Sequence, residues 1–259
     1  MTDRATWRVW YGSAASQLRS AIEARRIVEE AASDPWPRLL DEPVSRRAAA
    51  YFEQMVARRA GGEPLQYVLG RWGFRGLDLM VDRRVLIPRP ETEQVVSVAL
   101  TELERLVAAG VSDPVMVDLG TGSGAIALSL AAEGRRGSVW GTDSSDEALA
   151  VARANLAGLS GFAAARVRLV SGSWWSALPA EVRDWEPAVA LHGGPTGLDA
   201  ISVVVSEAPA WLARPGTLVV EVAPPQADTV TGLARSAGFE SIRVEPDLAG
   251  RARVQVARL

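Results

Sequence analysis

From position 6 to about 60, apolar residues recur at three- and four-residue spacings, as in Leu18 and Ile22 or Tyr51 and Met55, within a stretch rich in Ala, Arg, Glu and Leu. That period turns one face of each segment toward a core and predicts a small helical domain. Pro35, Pro37 and Pro43 punctuate it, and Ser45 is a candidate cap for a helix that ends near Gly61-Gly62. Between Arg71 and Arg89 the pattern changes. Phe74, Leu77, Leu79 and Val81 intermix with Gly73, Gly76 and Asp82, which predicts a short hairpin or an extended linker.

Beyond Pro90 the patterns of strand and helix alternate: helix over 95–108, strand over 115–119, helix over 125–132, strand over 138–142, helix over 146–156 and strand over 167–170. Such alternation predicts an α/β fold with a parallel sheet covered by helices. Residues 217–222 read as a buried strand, and 251–259, which alternate apolar and polar, as an edge strand. The run Ile201-Ser202-Val203-Val204-Val205 is β-branched enough to be a strand by propensity. The expected organisation is a helical domain over 1–70, a hairpin linker over 71–90 and an α/β domain over 91–259.

Composition narrows the chemistry. The 259 residues are 48% hydrophobic and 23% charged with a formal charge of −3, so nothing global marks a nucleic-acid binder. Cysteine is absent and His192 is the one histidine, which excludes disulfides, cysteine-ligated zinc, a thiol nucleophile and a multi-histidine metal site. The first residues lack the pattern of a signal peptide, and no apolar run approaches the roughly 18–20 residues of a membrane span. The cytoplasm is the expected address, and a monomer the expected state.

The sharpest chemical signal is Val117-Asp118-Leu119-Gly120-Thr121-Gly122-Ser123-Gly124, a strand that runs through a glycine-rich turn into a helix. Glycine permits positive φ and close backbone approach, so a ligand can sit directly on such a turn. Gly120, Gly122 and Ala125 also satisfy the looser dinucleotide fingerprint, in which pyrophosphate rests on a helix N-terminus. Asp118 before the turn, and a third glycine at Gly124, instead resemble the first motif of Rossmann-like S-adenosylmethionine-dependent methyltransferases. The next strand ends in Gly141-Thr142-Asp143, where a carboxylate can accept hydrogen bonds from both ribose hydroxyls.

Two further stretches, Gly62-Glu63-Pro64-Leu65-Gln66-Tyr67-Val68-Leu69-Gly70 and Arg84-Val85-Leu86-Ile87-Pro88-Arg89-Pro90-Glu91-Thr92-Glu93, resemble the signatures of the HemK family of protein-(glutamine-N5) methyltransferases. Gly172-Ser173-Trp174-Trp175-Ser176-Ala177-Leu178 is similar to the family segment that lies against adenine, and Pro246-Asp247-Leu248-Ala249-Gly250-Arg251 extends the likeness to the end of the chain. The resemblance implies methyl transfer from S-adenosylmethionine to the glutamine of the Gly-Gly-Gln motif in class 1 peptide chain release factors, with no direct nucleic-acid binding, no membrane and no metal. It implies a cofactor site of Asp118, Gly120, Thr121, Gly122, Ser123, Gly124, Asp143 and Trp174. Arg89, Glu91 and Glu93 would lie near the cofactor's edge or form an ordinary helix start.

The family carries Asn-Pro-Pro-Tyr at the end of the fourth sheet strand, and this tetrapeptide occurs nowhere in the sequence. An amide nitrogen is a poor nucleophile, and the family's asparagine and a proline carbonyl are thought to grip it. The catalytic residues of this chain are therefore unassigned. On the order of two dozen residues are missing near Leu178-Pro179, judged against usual strand and loop lengths. With them goes the fourth strand, so either a gap opens beside the first strand or the fifth moves over to close it. Besides a methyltransferase, the open readings are a non-catalytic cofactor- or release-factor-binding protein, an inactive deletion variant, a methyltransferase acting on DNA or RNA, and an NAD-binding redox enzyme.

Overall fold

The computed structural model describes residues 5–34, 36–38, 40–172 and 198–259. The chain divides into two compact units, Met1–Trp72 with Val81–Arg83, and Gly73–Met80 with Arg84–Leu259. Helices α1 (Trp7–Leu18), α2 (Ala21–Ala32), α3 (Arg46–Ala60) and α4 (Leu65–Leu69) build the first unit. The Ser20 hydroxyl accepts from Glu23 N–H and the Ser45 hydroxyl from Ala48 N–H, which satisfies a free donor at the start of α2 and of α3. Trp7, Ile27, Val28, Phe52, Met55 and Val68 form the core, with Trp7 and Trp10 edge-on to Phe52 at 5.9 and 5.4 Å.

The 62–70 stretch is an ion-paired corner of this unit. Glu63 receives Arg58 in a two-pronged bond at 2.8 and 2.7 Å, and the same guanidinium donates to the carbonyls of Tyr67 and Val68. These bonds, with Arg83 nearby, lower the Glu63 pKa to about 2 against the opposing effect of burial. Gly70 closes α4 at φ +75°, a conformation that L side chains rarely adopt.

The 71–90 stretch, of which Gly73–Met80 and the residues from Arg84 belong to the second unit, contains a hairpin of β1 (Arg71–Phe74) and β2 (Leu77–Met80) whose turn residues, Arg75 and Gly76, both have positive φ. Arg75 is held there on purpose: its N–H and guanidinium donate to Glu93, Ser97 and Glu133. Helix α5 (Thr92–Ala108) follows, and then β3 (Val115–Leu119), α6 (Ala125–Glu133), β4 (Ser138–Asp143), α7 (Asp146–Ala157), α8 (Gly161–Ala164) and β5 (Val167–Ser171). The three strands pair in parallel in the order β3-β4-β5. Side chains alternate across this sheet. Met116 and Val139 join Phe74, Leu79, Val96 and Leu128 on one face, whereas Val117, Leu119 and Trp140 join a separate cluster on the other.

The remaining elements are α9 (Asp199–Trp211), β6 (Thr217–Glu221), α10 (Ala227–Ser236), β7 (Ser241–Pro246) and β8 (Ala252–Arg258), with the strands in a second sheet of order β6-β8-β7. Among the described residues no backbone pairing joins the two sheets. Among the described residues neither β6 nor any other strand pairs with the edge of β3 opposite β4. Val115 is 52% exposed, and Asp118 is the one buried residue of β3.

Three expectations need correction. Residues 252–258 form the central strand of the second sheet, not its edge, because β6 and β7 both pair with it and Val254 to Ala257 are all buried. Residues 201–205 lie in α9, not in a strand. Val205 and Ala208, three apart on one helix face, are fully buried with Val222 and Val230, and that burial outweighs β-branched propensity. The strand at 217–221 is only partly buried, with Leu218 its one buried residue, because its far edge has no neighbouring strand among the described residues.

One ionic cluster ties α5 to all three strands of the second sheet. The buried Glu102 accepts from Arg258 at 2.9 and 2.6 Å, Arg105 at 2.8 Å, Arg243 at 3.0 Å and the Thr217 hydroxyl at 3.3 Å. Burial pushes the Glu102 pKa up, but the three guanidinium groups outweigh it and bring it down to about 2. The turn from β7 to β8 is organised by Asp247, which accepts from the N–H groups of Ala249 and Arg251 and from the Arg251 guanidinium. Asp247 thereby gives the 246–251 motif a structural explanation.

Candidate cofactor site

The C-terminal ends of β3 and β4 converge on the glycine turn. Gly120, Gly122 and Gly124 have φ of +76°, +55° and +84°, so the chain reverses through backbone states that L side chains rarely adopt. Gly120 N–H and Thr121 N–H both donate to the Thr142 carbonyl at 2.8 Å, which fastens the turn to the end of β4. Gly141 makes the approach possible: a Cβ there would lie 2.8 Å from Leu169 Cδ2 and 3.0 Å from Thr121 Oγ1.

Asp118 lies beneath the turn. It is 7% exposed, and its Oδ2 accepts from Thr121 Oγ1 at 2.6 Å and from Ala127 N–H at 3.1 Å, so it links the strand, the turn and the first residues of α6. Burial raises its pKa, and the charge of Asp143 adds to that; the two hydrogen bonds oppose both. Thr121 and Ser123 are also buried, at 6% and 3%. The accessible part of the turn is narrower than the sequence pattern: Gly120 is exposed, Gly122 is half-buried with open space where a Cβ would be, and Asp143 is half-buried beside them.

Asp143 Oδ2 accepts from Gly122 N–H and Oδ1 from Ser145 N–H, both at 2.9 Å. A carboxylate offers about four acceptor positions, so each oxygen retains capacity for a further donor. A vicinal diol against Asp143 and a zwitterionic chain against Gly120 and Gly122 suit this surface, and the open space at Gly122 is what a close-lying ligand needs. The described candidates thus fit a nucleoside with a short polar chain. Trp174 and His192 lie outside the described residues. Glu91 stands at the N-terminus of α5, and Glu93 binds the hairpin turn through Arg75 N–H.

One residue absent from the sequence-based set supports the turn. Asn155 on α7 donates to the Ser123 carbonyl at 2.8 Å and to the Met80 carbonyl at 3.1 Å, and accepts from Met80 N–H at 2.7 Å. An asparagine within a helix sacrifices propensity, and that was the available signal.

Family models match the chain in two places, a PrmC N-terminal domain over residues 11–70 and a Methyltransferase domain over 116–216. The release factor glutamine methyltransferase of Cereibacter sphaeroides is 37% identical over 272 aligned positions, covering 95% of this chain and 94% of that protein. The protein of the same name from Moorella thermoacetica is 39% identical, covering 92% and 91%. The chain belongs to the release factor glutamine methyltransferase family. It is a Rossmann-like S-adenosylmethionine-dependent methyltransferase with an N-terminal helical region. Among solved structures, the N-terminal domain of human METTL16 in complex with SAH shares the fold with a TM-score of 0.50 and 16% identity, covering 80% of this chain and 83% of that one. The alignment to the Cereibacter family member also bears on the gap: 95% of 259 residues is about 246, so about 26 of the 272 positions have no residue of this chain opposite them. Among the described residues no helix is long and apolar enough to cross a membrane, and no cluster of His, Asp or Glu is arranged to hold a metal.

Proposed function

We propose that this chain binds S-adenosylmethionine on the 120–124 turn and Asp143, engages class 1 peptide chain release factors, and methylates their Gly-Gly-Gln glutamine with negligible turnover. When bound, the cofactor supplies a methyl group on a positively charged sulfur. In this reading Asp143 takes the ribose hydroxyls, Gly120 and Gly122 admit the methionine part, and Asp118 and Asn155 hold the turn in shape. Trp174 is proposed as the adenine neighbour.

The observation that carries the second half of the proposal is the missing tetrapeptide, together with an edge of β3 that no strand among the described residues pairs with. In the family that edge is where the strand ending in Asn-Pro-Pro-Tyr belongs, and the sequence has no such tetrapeptide. A glutamine amide needs its weak lone pair held in line with the methyl group, and oriented contacts of this kind account for several kcal/mol of barrier. Their loss reduces turnover by orders of magnitude and leaves cofactor binding in place.

Two measurements test this. Calorimetry with S-adenosylmethionine and its demethylated product is expected to show binding, with no response to NAD; the opposite pattern refutes the cofactor assignment. Mass spectrometry of a Gly-Gly-Gln peptide is expected to show negligible methylation by this chain, and recovery when a family-length segment with Asn-Pro-Pro-Tyr is inserted between Leu178 and Glu181. Robust methylation by the unmodified chain refutes the catalytic reading.

A further inference from the structure

The glycine turn occupies the C-terminal ends of β3 and β4. At the other end of the same sheet, five or six residues and therefore roughly 17–20 Å away along the strands, a cavity of about 420 Å³ opens to solvent. Arg135 and Arg136 from the turn before β4 line it, with Arg166 and Arg168 at the start of β5, Phe162 of α8 and Trp140 of β4. Asp113 is the one carboxylate among the lining residues, and no ion pair engages any of the four arginines among the described residues. The local excess of positive charge runs against a chain whose formal charge is −3.

Arg166 is the built part of this cavity. Its Nη2 donates to the carbonyls of Ala131 and Gly134 at 2.7 and 2.5 Å, which fixes the plane of the guanidinium. Its Nε and Nη1 are buried with no hydrogen-bond partner. Two buried donors without partners on a half-buried cation are costly, and burial lowers the Arg166 pKa. The same group lies 5.5 Å over the ring of Phe162, which is 73% exposed. Guanidinium forks suit phosphate oxygens, whereas an exposed aromatic face beside them suits a flat heterocycle. A carboxylate ligand would use the arginines and leave the Phe162 face without a role.

We infer that this cavity binds a nucleotide of single-stranded RNA, with the phosphate on the arginines and the base against Phe162. The site stands apart from methyl transfer.

The test is fluorescence anisotropy of a labelled single-stranded oligoribonucleotide titrated with the full chain at low salt, with melting curves for every variant. Binding is expected to weaken about tenfold or more in the double variant Arg135→Ser/Arg136→Ser, through lost phosphate contacts and a shallower salt dependence. Arg135→Lys/Arg136→Lys is expected to retain most of the affinity. Phe162→Ser, at an exposed position, is expected to weaken binding roughly fivefold or more by removing the stacking face. Absence of binding at low salt overturns the inference, as does undiminished binding by the double serine variant. So does displacement by polyglutamate with no effect of Phe162→Ser, which assigns the cavity to an acidic protein segment. Adenosine monophosphate saturating the site as tightly as the oligonucleotide assigns it to a free nucleotide and overturns RNA as the source.

Discussion

Replacing Glu102 by glutamine should be the most informative single change to the second unit, because one buried carboxylate there holds α5 against three strands. The glutamine keeps the shape but leaves Arg105, Arg243 and Arg258 around a neutral amide that can accept fewer of their bonds. A pKa lowered from 4.5 to about 2 corresponds to about 3 kcal/mol of stability at pH 7. The arginines are about one-third exposed, at 34%, 35% and 30%, and solvent screens part of this. The expected loss is therefore about 2–3 kcal/mol, or roughly 5–10 °C in melting temperature for a unit of this size. Because the folded pKa lies below the unfolded one, the contribution is complete above pH 4.5 and drains away as pH falls toward 2, reaching about half its neutral value near pH 3. Urea denaturation of the wild type and Glu102→Gln from pH 7 to pH 3 measures both effects. A difference below about 0.5 kcal/mol at pH 7, or one that grows on acidification, refutes the reasoning.

Three further outcomes are expected at the candidate site. Asp143→Ala should weaken S-adenosylmethionine binding by about 1–3 kcal/mol through loss of a charged acceptor; an unchanged dissociation constant by calorimetry would make Asp143 a surface acid only. Asp118→Asn keeps an acceptor for Thr121 and Ala127 while removing a buried charge, so its stability should equal or exceed the wild type at pH 7, with any advantage shrinking in acid as the wild-type carboxylate takes up its proton. Asp118→Ala should instead cost about 2–3 kcal/mol because it orphans a buried N–H, and equal melting curves for the two variants would contradict this. Asn155→Ala should cost about 1–2 kcal/mol and speed hydrogen exchange at Met80 N–H, and unaltered exchange there would show that the bond to Asn155 is not what protects it.

The elements around the glycine turn were legible because their signals are local. Asp118 and Gly120 end β3 at the expected residue, and Ser45 caps α3 as its hydroxyl suggested. In the second sheet the strands at 217–221 and 252–258 were legible too, but the central place of the latter was not, and Gln255 shows why. Its polar side chain made 251–259 look like a strand with a wet face, yet it is 0% exposed, accepting from the Thr231 hydroxyl and donating to the Val230 carbonyl. Burial of that kind depends on α10, more than twenty residues earlier, and no pattern within the strand announces it. Asp118 adds a further case: its motif does not announce that its side chain accepts from the Thr121 hydroxyl and from the Ala127 N–H of α6.

The two half-sheets also differ in when they can exist. Strands β3 to β5 neighbour one another in sequence and are joined by short helical crossovers, so each can find its partner as soon as it leaves the ribosome. Strands β6 and β7 do not touch; both wait for β8, the last of the three to be made, to slide between them. During synthesis the half that carries the glycine turn can therefore be in place while β6 still presents the backbone edge that β8 will cover, an interval in which the nascent chain is most open to chaperones and proteases.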